Sequence, residues 1–365
     1  MSNRLGRCLK SLETTGFLRC SNDAATPHIE LLTHGSAYAQ QLLQHWLNMR
    51  QLAVNLGSVS SNESLSQSRF AFVHGQQFRQ QLQQLRQTHS SKAKCPTLLK
   101  QQLRCTSYNP PYHTIFQHAQ PVTQLITDFY VEPHRGLEHF YNVQRESKIW
   151  WMRYSSNPSR YAIVPQTELE QGAGYQAIDI RAAFGDAGAV TVEQLSLVPL
   201  PDHQDFQLPD ARTGQLQLPS VIRSVIELET ASCALLLDGC DHGRETRSLL
   251  LNRLLAPYQC AITGIQKTEH SSQDLRDLCA HLVDVLQRAS LRVQGSGYVL
   301  AGNRHQLTEQ LELYDCLGIP YDLLLDEQQT LSNGLLQLRS RDTQLAETVH
   351  ISDLPDYLLN IFRNY

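Results

Sequence analysis

Apolar residues recur at helical spacing in the first third of the chain. Leu42, Leu43, Trp46 and Leu47 do so in a stretch from Ala37 to about Leu56, and Gly57 supplies a stop. A Gln-rich stretch, 75–88, carries the stripe Phe78, Leu82 and Leu85 and predicts a second helix. Between the two, GSVSSNESLSQS (57–68) reads as a flexible loop. From 110 to 200 the pattern changes to short apolar runs bounded by Pro and Gly. TQLITDFYVE, KIWWMRYS, RYAIVP and QAIDIRAAF predict strands of an antiparallel sheet with helices, an α+β arrangement. Four prolines make 197–219 loop-like.

The last third alternates more regularly. APYQCAITGI (256–265) predicts an apolar strand. The helix that follows buries Leu275, Leu278, Cys279, Leu282, Val283 and Leu286, with Ser271 and Asp274 at capping-box-like spacing. LRV (291–293) predicts a short strand, and NRHQLTEQLELYDCLG a helix stopped by Gly318. PYDLLLD (320–326) and LLQLRSR predict two more strands. DLPDYLLNIFRNY predicts a closing helix with Leu354, Leu358, Ile361 and Phe362 on one face. The order βαβαββα predicts a compact α/β domain of about 115 residues. The length of 365 residues fits two domains better than one.

The N-terminus, MSNRLGRCLKSLETTGFLRC, wound as a helix puts Leu5, Cys8, Leu9 and Leu12 on one face. Arg4, Arg7, Lys10 and Thr14 fall on the other. A basic, amphipathic, acid-poor start is the pattern of a mitochondrial transit peptide, so residues 1–20 are expected to stand outside the fold. No apolar run approaches the ~20 residues a membrane helix needs. The nine cysteines show no CxxC pair and read as reduced thiols. Net charge is −4, but it is unevenly spread. Residues 1–160 hold 17 Lys/Arg and 8 Asp/Glu, a net of +9; residues 161–365 hold 14 and 27, a net of −13. Such asymmetry suggests a polyanionic partner for the first half, or a basic tail with ordinary surface variation.

Candidate chemistry is sparse. There is no GxxxxGK loop, and GSGYVLAG (295–302) lacks the third glycine of a dinucleotide fingerprint. His113 and His118 are five apart, off the i,i+4 metal spacing. Glu132, His134, Glu138 and His139 could hold a metal or do acid–base work, but histidines beside carboxylates are common in loops. Arg244 and Arg247 could hold a phosphate or simply start a solvated helix. No nucleophile, base and oxyanion set assembles.

Three stretches carry a resemblance: LLAPYQCAI (254–262), YDCLGIPYDLLL (314–325) and NGLLQLRSRDT (333–343). They resemble the anticodon-binding-type domain of class II aminoacyl-tRNA synthetases, the glycyl type in particular. That class also needs an Arg-x-Glu on a strand and a GxGxxR helix start, because a phosphoryl-bearing transition state requires fixed positive groups. Neither stands here: Arg145 is followed directly by Glu146, Ser155 lies two places after Arg153, and LLLDGCDHGRETR lacks the second pattern. A synthetase-like body without those signatures, with LSNGLLQLRSRDT followed by HISDLPDYLL, resembles the accessory-subunit family of mitochondrial DNA polymerase gamma.

The resemblance implies a degenerate class II synthetase-like antiparallel-sheet domain over 30–240 and an anticodon-binding-like mixed-sheet α/β domain over 245–365. It implies no catalysis, cofactor or metal. The implied partners are the polymerase's catalytic subunit and primer–template DNA, bound without sequence preference in the mitochondrial nucleoid to raise processivity; no membrane is involved. Vertebrate members carry an inserted helical segment that makes a homodimer. This chain shows no obvious room for one, so a one-to-one complex is expected. Lys92, Lys94, Lys100 and Arg104 are the DNA-contact candidates. Gly334, Gln337, Arg339 and Arg341 are the subunit-contact candidates, with Asn333-Gly334 read as a tight entry turn. An active glycyl-type synthetase and a synthetase-derived tRNA-binding module remain the alternatives.

Overall fold

A computed structural model of the chain describes residues 3–21, 28–49, 53–61, 76–105, 115–118, 121–166, 176–198, 200–241, 248–266, 273–294 and 298–363. It opens on a helix, α1 (Asn3–Thr14), whose Leu5, Cys8, Leu9 and Leu12 are buried. A turn at Gly16, φ +74°, leads into β1 (Leu18–Ser21), which pairs antiparallel with β2 (His28–Leu31). The expectation that residues 1–20 stand outside the fold is thereby corrected. A helix with one basic and one apolar face has the composition of a leader and also that of a core-packing helix, and composition does not separate them.

Helix α2 (Thr33–Asn48) ends earlier than the periodicity predicts. Val54 and Leu56 alternate inward as part of β3 (Val54–Ser61), which also takes the start of the segment read as a loop. Next come α3 (Gln76–Thr88), β4 (Thr97–Cys105), β5 (Gln117–His118) and β6 (Val122–Val131). KIWWMRYS, predicted as a strand, is the C-terminal half of α4 (Gly136–Tyr154). There Phe140, Val143, Ser147, Trp151 and Tyr154 recur at three- and four-residue spacing and are buried, so packing overrides the aromatic preference for strands. The remaining elements of this part are β7 (Tyr161–Pro165), β8 (Gln176–Ala183), β9 (Ala189–Val198), β10 (Leu208–Pro209), β11 (Leu216–Gln217), β12 (Ser220–Glu227) and α5 (Leu228–Cys240).

Seven of these strands form one sheet in the order β3-β4-β6-β12-β9-β8-β7. All its pairs are antiparallel except β3 with β4. Its two faces have different covers. One packs on α4 and α5, with α1 and α2 on the far side of α5. Helix α5 is therefore apolar nearly all round, LETASCALLLDGC, as a helix enclosed on all sides must be. The other face takes Phe78, Leu82 and Leu85 of α3.

The C-terminal part runs β13 (Cys260–Ile265), α6 (Gln273–Arg288), β14 (Val299–Ala301), α7 (Arg304–Cys316), β15 (Tyr321–Asp326), α8 (Glu327–Asn333), β16 (Leu335–Ser340), β17 (Ala346–His350) and α9 (Leu354–Arg363). The sheet order is β14-β13-β15-β16-β17. The pairs β13–β14 and β13–β15 are parallel, while β15–β16 and β16–β17 are antiparallel. Helices α6 and α9 cover one face through Leu275, Leu282, Leu354 and Leu358. Helix α7 sits against the body, where Tyr314, Leu317 and Ile319 join the main core. LRV contributes only a bridge from Val293 to Cys260. Strand β14, helix α8 and β17 are additions to the predicted order; Asp326 caps α8 by accepting from the Gln328 and Gln329 N–H groups, each 3.0 Å.

Candidate nucleic-acid and subunit surfaces

The four basic residues proposed for DNA do not converge. Lys92 ends a short 3₁₀ turn (Ser90–Lys92), and Lys94 follows it; both are exposed, beside exposed His89. Arg104 is exposed at the far end of β4, roughly 30 Å away at strand rise. It pulls on the Glu229 carboxyl, which burial raises and which accepts from the Thr123 N–H at 2.8 Å. Lys100 is a correction. It is buried, its Nζ donates to the carbonyls of Trp46, Leu47 (3.1 Å) and Met49, and it lies 5.0 Å from the Trp46 ring centroid. Those are the orphan carbonyls at the end of α2, so Lys100 works as an internal C-terminal cap. Nothing in a basic segment marks which lysine turns inward until the helix it caps is in place.

The C-terminal candidates separate in the same way. Gln337 is exposed on β16. Arg339 is not: it pairs with Asp315 of α7 (3.0 and 2.8 Å) and with Asp322 of β15, and it also donates to Gln344. Arg341 is also buried. It donates to the carbonyls of Gly318 (2.7 Å) and Leu251 (2.9 Å) and to Asp342 (2.6 Å), which Arg253 reaches at 3.1 Å. Both arginines are therefore removed from the contact candidates. Arg339 joins the sheet to α7, and Arg341 ties its end to the segment entering from the body. Asn333-Gly334 is not a hairpin turn. Gly334 is the left-handed C-cap of α8, φ +66°, and a Cβ there would stand 2.7 Å from the His350 ring. Gly334→Glu therefore disturbs the local fold and is no clean probe of docking.

What stays open is the outer face of the β16–β17 hairpin. Leu335 and Gln337 stand opposite His350 and Thr348, all four exposed, with exposed Leu345 and Leu331 at its margins. Strand β17 is also the sheet's edge, so among the described residues one row of its backbone groups has no strand partner.

Asp322 and Asp315 share one guanidinium. Burial pushes the Asp322 carboxyl up to about 7, from 3.8, against the pull of Arg339. The folded state then holds this proton more tightly than the unfolded chain between those two values. The group's contribution to stability falls as pH rises through that window and is lost above about 7. Thermal midpoints of the parent and of Asp322→Asn, measured from pH 5.5 to 8.5, should show the parent losing ground as pH rises. A constant difference would overturn this protonation.

On the seven-stranded sheet, the face under α3 carries polar groups that satisfy one another. Arg223 makes a two-pronged pair with Asp128 (2.7 Å each), and its guanidinium lies 4.0 Å from the Phe78 ring centroid. Gln81 bonds Gln101 at 2.9 Å beside the Tyr130 hydroxyl. The opposite face holds Glu193, which accepts from Ser147, Trp151 and Ser224 (2.9, 2.7 and 2.6 Å). The helix after β12 starts at Leu228, earlier than the LLLDGCDHGRETR stretch, and it contains no arginine. Arg244 and Arg247, the GSG of 295–297, Ser271 and His113 lie outside the described residues. Glu138 pairs with Arg135 at 3.2 Å on the surface, and His134 is exposed. Among the described residues no group of three His, Cys, Asp or Glu could hold a metal ion, and no helix is long and apolar enough to cross a membrane. All nine cysteines are free thiols.

A mostly antiparallel sheet packed on helices, followed by a mixed-sheet α/β domain, is the architecture of a class II synthetase-like fold. A family model described as an anticodon binding domain matches residues 259–361. A glycine–tRNA ligase of Clostridium beijerinckii is 26% identical over 160 residues, which is 42% of this chain and 32% of that protein. The Drosophila melanogaster protein named DNA polymerase subunit gamma-2, mitochondrial is 57% identical over 366 residues, 99% of this chain and 100% of its own length. Its Xenopus laevis counterpart is 31% identical over 238 residues, 59% of this chain and 48% of that protein. The chain belongs to the DNA polymerase subunit gamma-2 family.

Proposed function

We propose that the protein is the non-catalytic accessory subunit of a mitochondrial DNA polymerase. It binds the catalytic subunit and primer–template DNA and keeps the polymerase on its template. Identity of 57% over the full length of a relative named DNA polymerase subunit gamma-2, mitochondrial carries the reading.

A second DNA-contacting body on the complex raises effective concentration and slows dissociation. In this reading Lys92 and Lys94 supply phosphate contacts, Arg104 is a separate contact, and the open β16–β17 face meets the catalytic subunit, one copy of each. The chain should stimulate the catalytic subunit on primed DNA most strongly at raised salt. No stimulation across a salt series would sink the proposal. Lys92→Glu with Lys94→Glu should reduce the magnitude of the negative slope of log affinity against log salt by about 2 while subunit binding stays intact. An unchanged slope would remove these lysines from the DNA surface. Mass determination of the co-purified complex reads the stoichiometry. A tRNA-binding module is the second reading, favoured by the anticodon binding domain match. Competition between tRNA and primer–template DNA separates the two.

A further inference from the structure

We propose that α1 acts twice: as the import signal of the unfolded chain and then, retained rather than cleaved, as a core helix of the folded protein. The proposal rests on the mitochondrial reading above. The pattern that suits α1 to import is complete by Thr14, with Arg7 and Lys10 exposed on the basic face. Its apolar face is equally committed to the fold. Leu5, Cys8, Leu9 and Leu12 pack against α5, and Arg4 pairs with Asp241 at the end of that helix.

The segment just after α1, where a leader would be cut, is held as firmly. Phe17 and Leu18 are fully buried. The Phe17 carbonyl accepts from the Leu32 N–H at 2.9 Å, and the Thr15 carbonyl contacts the His34 ring at 2.8 Å. Gly35 of α2 stands where any Cβ would come within 2.1 Å of the Phe17 carbonyl. The body therefore has a seat for residue 17 that only glycine leaves open. Cleavage near residue 20 would strip β2 of its β1 partner and bare the α5 face.

The test expresses the full-length chain, tagged at its C-terminus, in cultured cells. Mitochondria are purified and treated with protease, and the N-terminal peptide of the protected chain is identified by mass spectrometry. A first residue at or before Leu5 is expected; one beyond Leu5 overturns retention. Absence of the tagged chain from mitochondria would instead fail the mitochondrial reading and the import role with it. Arg7→Glu with Lys10→Glu separates the two roles. Import should be lost while the purified variant melts at the parent temperature. Import equal to the parent's would overturn the signal role.

Discussion

Arg339→Ala is expected to destabilise the protein by about 3–5 kcal/mol at pH 8, read from urea denaturation. The side chain is buried and serves Asp315 and Asp322 together. At pH 8 Asp322 has given up the proton that burial lets it keep to about 7. Removing the guanidinium then leaves two carboxylates, one of them fully enclosed, with no compensating charge. Adding Asp322→Leu to Arg339→Met should recover part of the loss, because apolar replacement of a whole buried pair is often nearly neutral. A cost under about 1 kcal/mol for Arg339→Ala would mean the cluster relaxes into water. Had Arg339 been a contact residue, the same substitution would weaken subunit binding and leave stability unchanged. Denaturation and binding assays therefore decide between the two roles.

Deleting residues 1–14 is expected to abolish the folded state or cause aggregation, as judged by circular dichroism and size exclusion. Three leucines leave the core, each worth about 1.5–3 kcal/mol, and their loss exposes α5, which has no polar face to present. That sum rivals the roughly 5–15 kcal/mol by which whole domains are stable. Leu12→Ala is the milder version, since Leu12 is 1% exposed; it should cost about 2–5 kcal/mol. A truncated chain that melts like the parent would show α1 to be dispensable.

The sequence by itself determined the elements whose faces are marked by strong periodicity. Helices α3, α6 and α9 and the strand after Gly334 follow from apolar spacing, because one buried stripe is enough to specify each; the strand at 320–326 follows from a short continuous apolar run, and α7, which buries only Tyr314, from its stop at Gly318. The family resemblance, too, was readable from contiguous motifs near the C-terminus. Tertiary structure alone decided the rest, for three physical reasons. A helix with one basic face has the same composition whether it addresses an import receptor or packs on α5, so composition alone does not show that α1 joins the core. A long aromatic run has strand preference, yet Trp151 and Tyr154 fall on the buried side of α4 once the sheet is there to receive them. Charged residues show no sign in sequence of which will be buried. Lys100 found the carbonyls closing α2, Arg339 found Asp315 and Asp322, and Arg341 found Gly318 and Leu251. Each of those partners lies more than fifteen residues away along the chain, and only the fold brings them within reach.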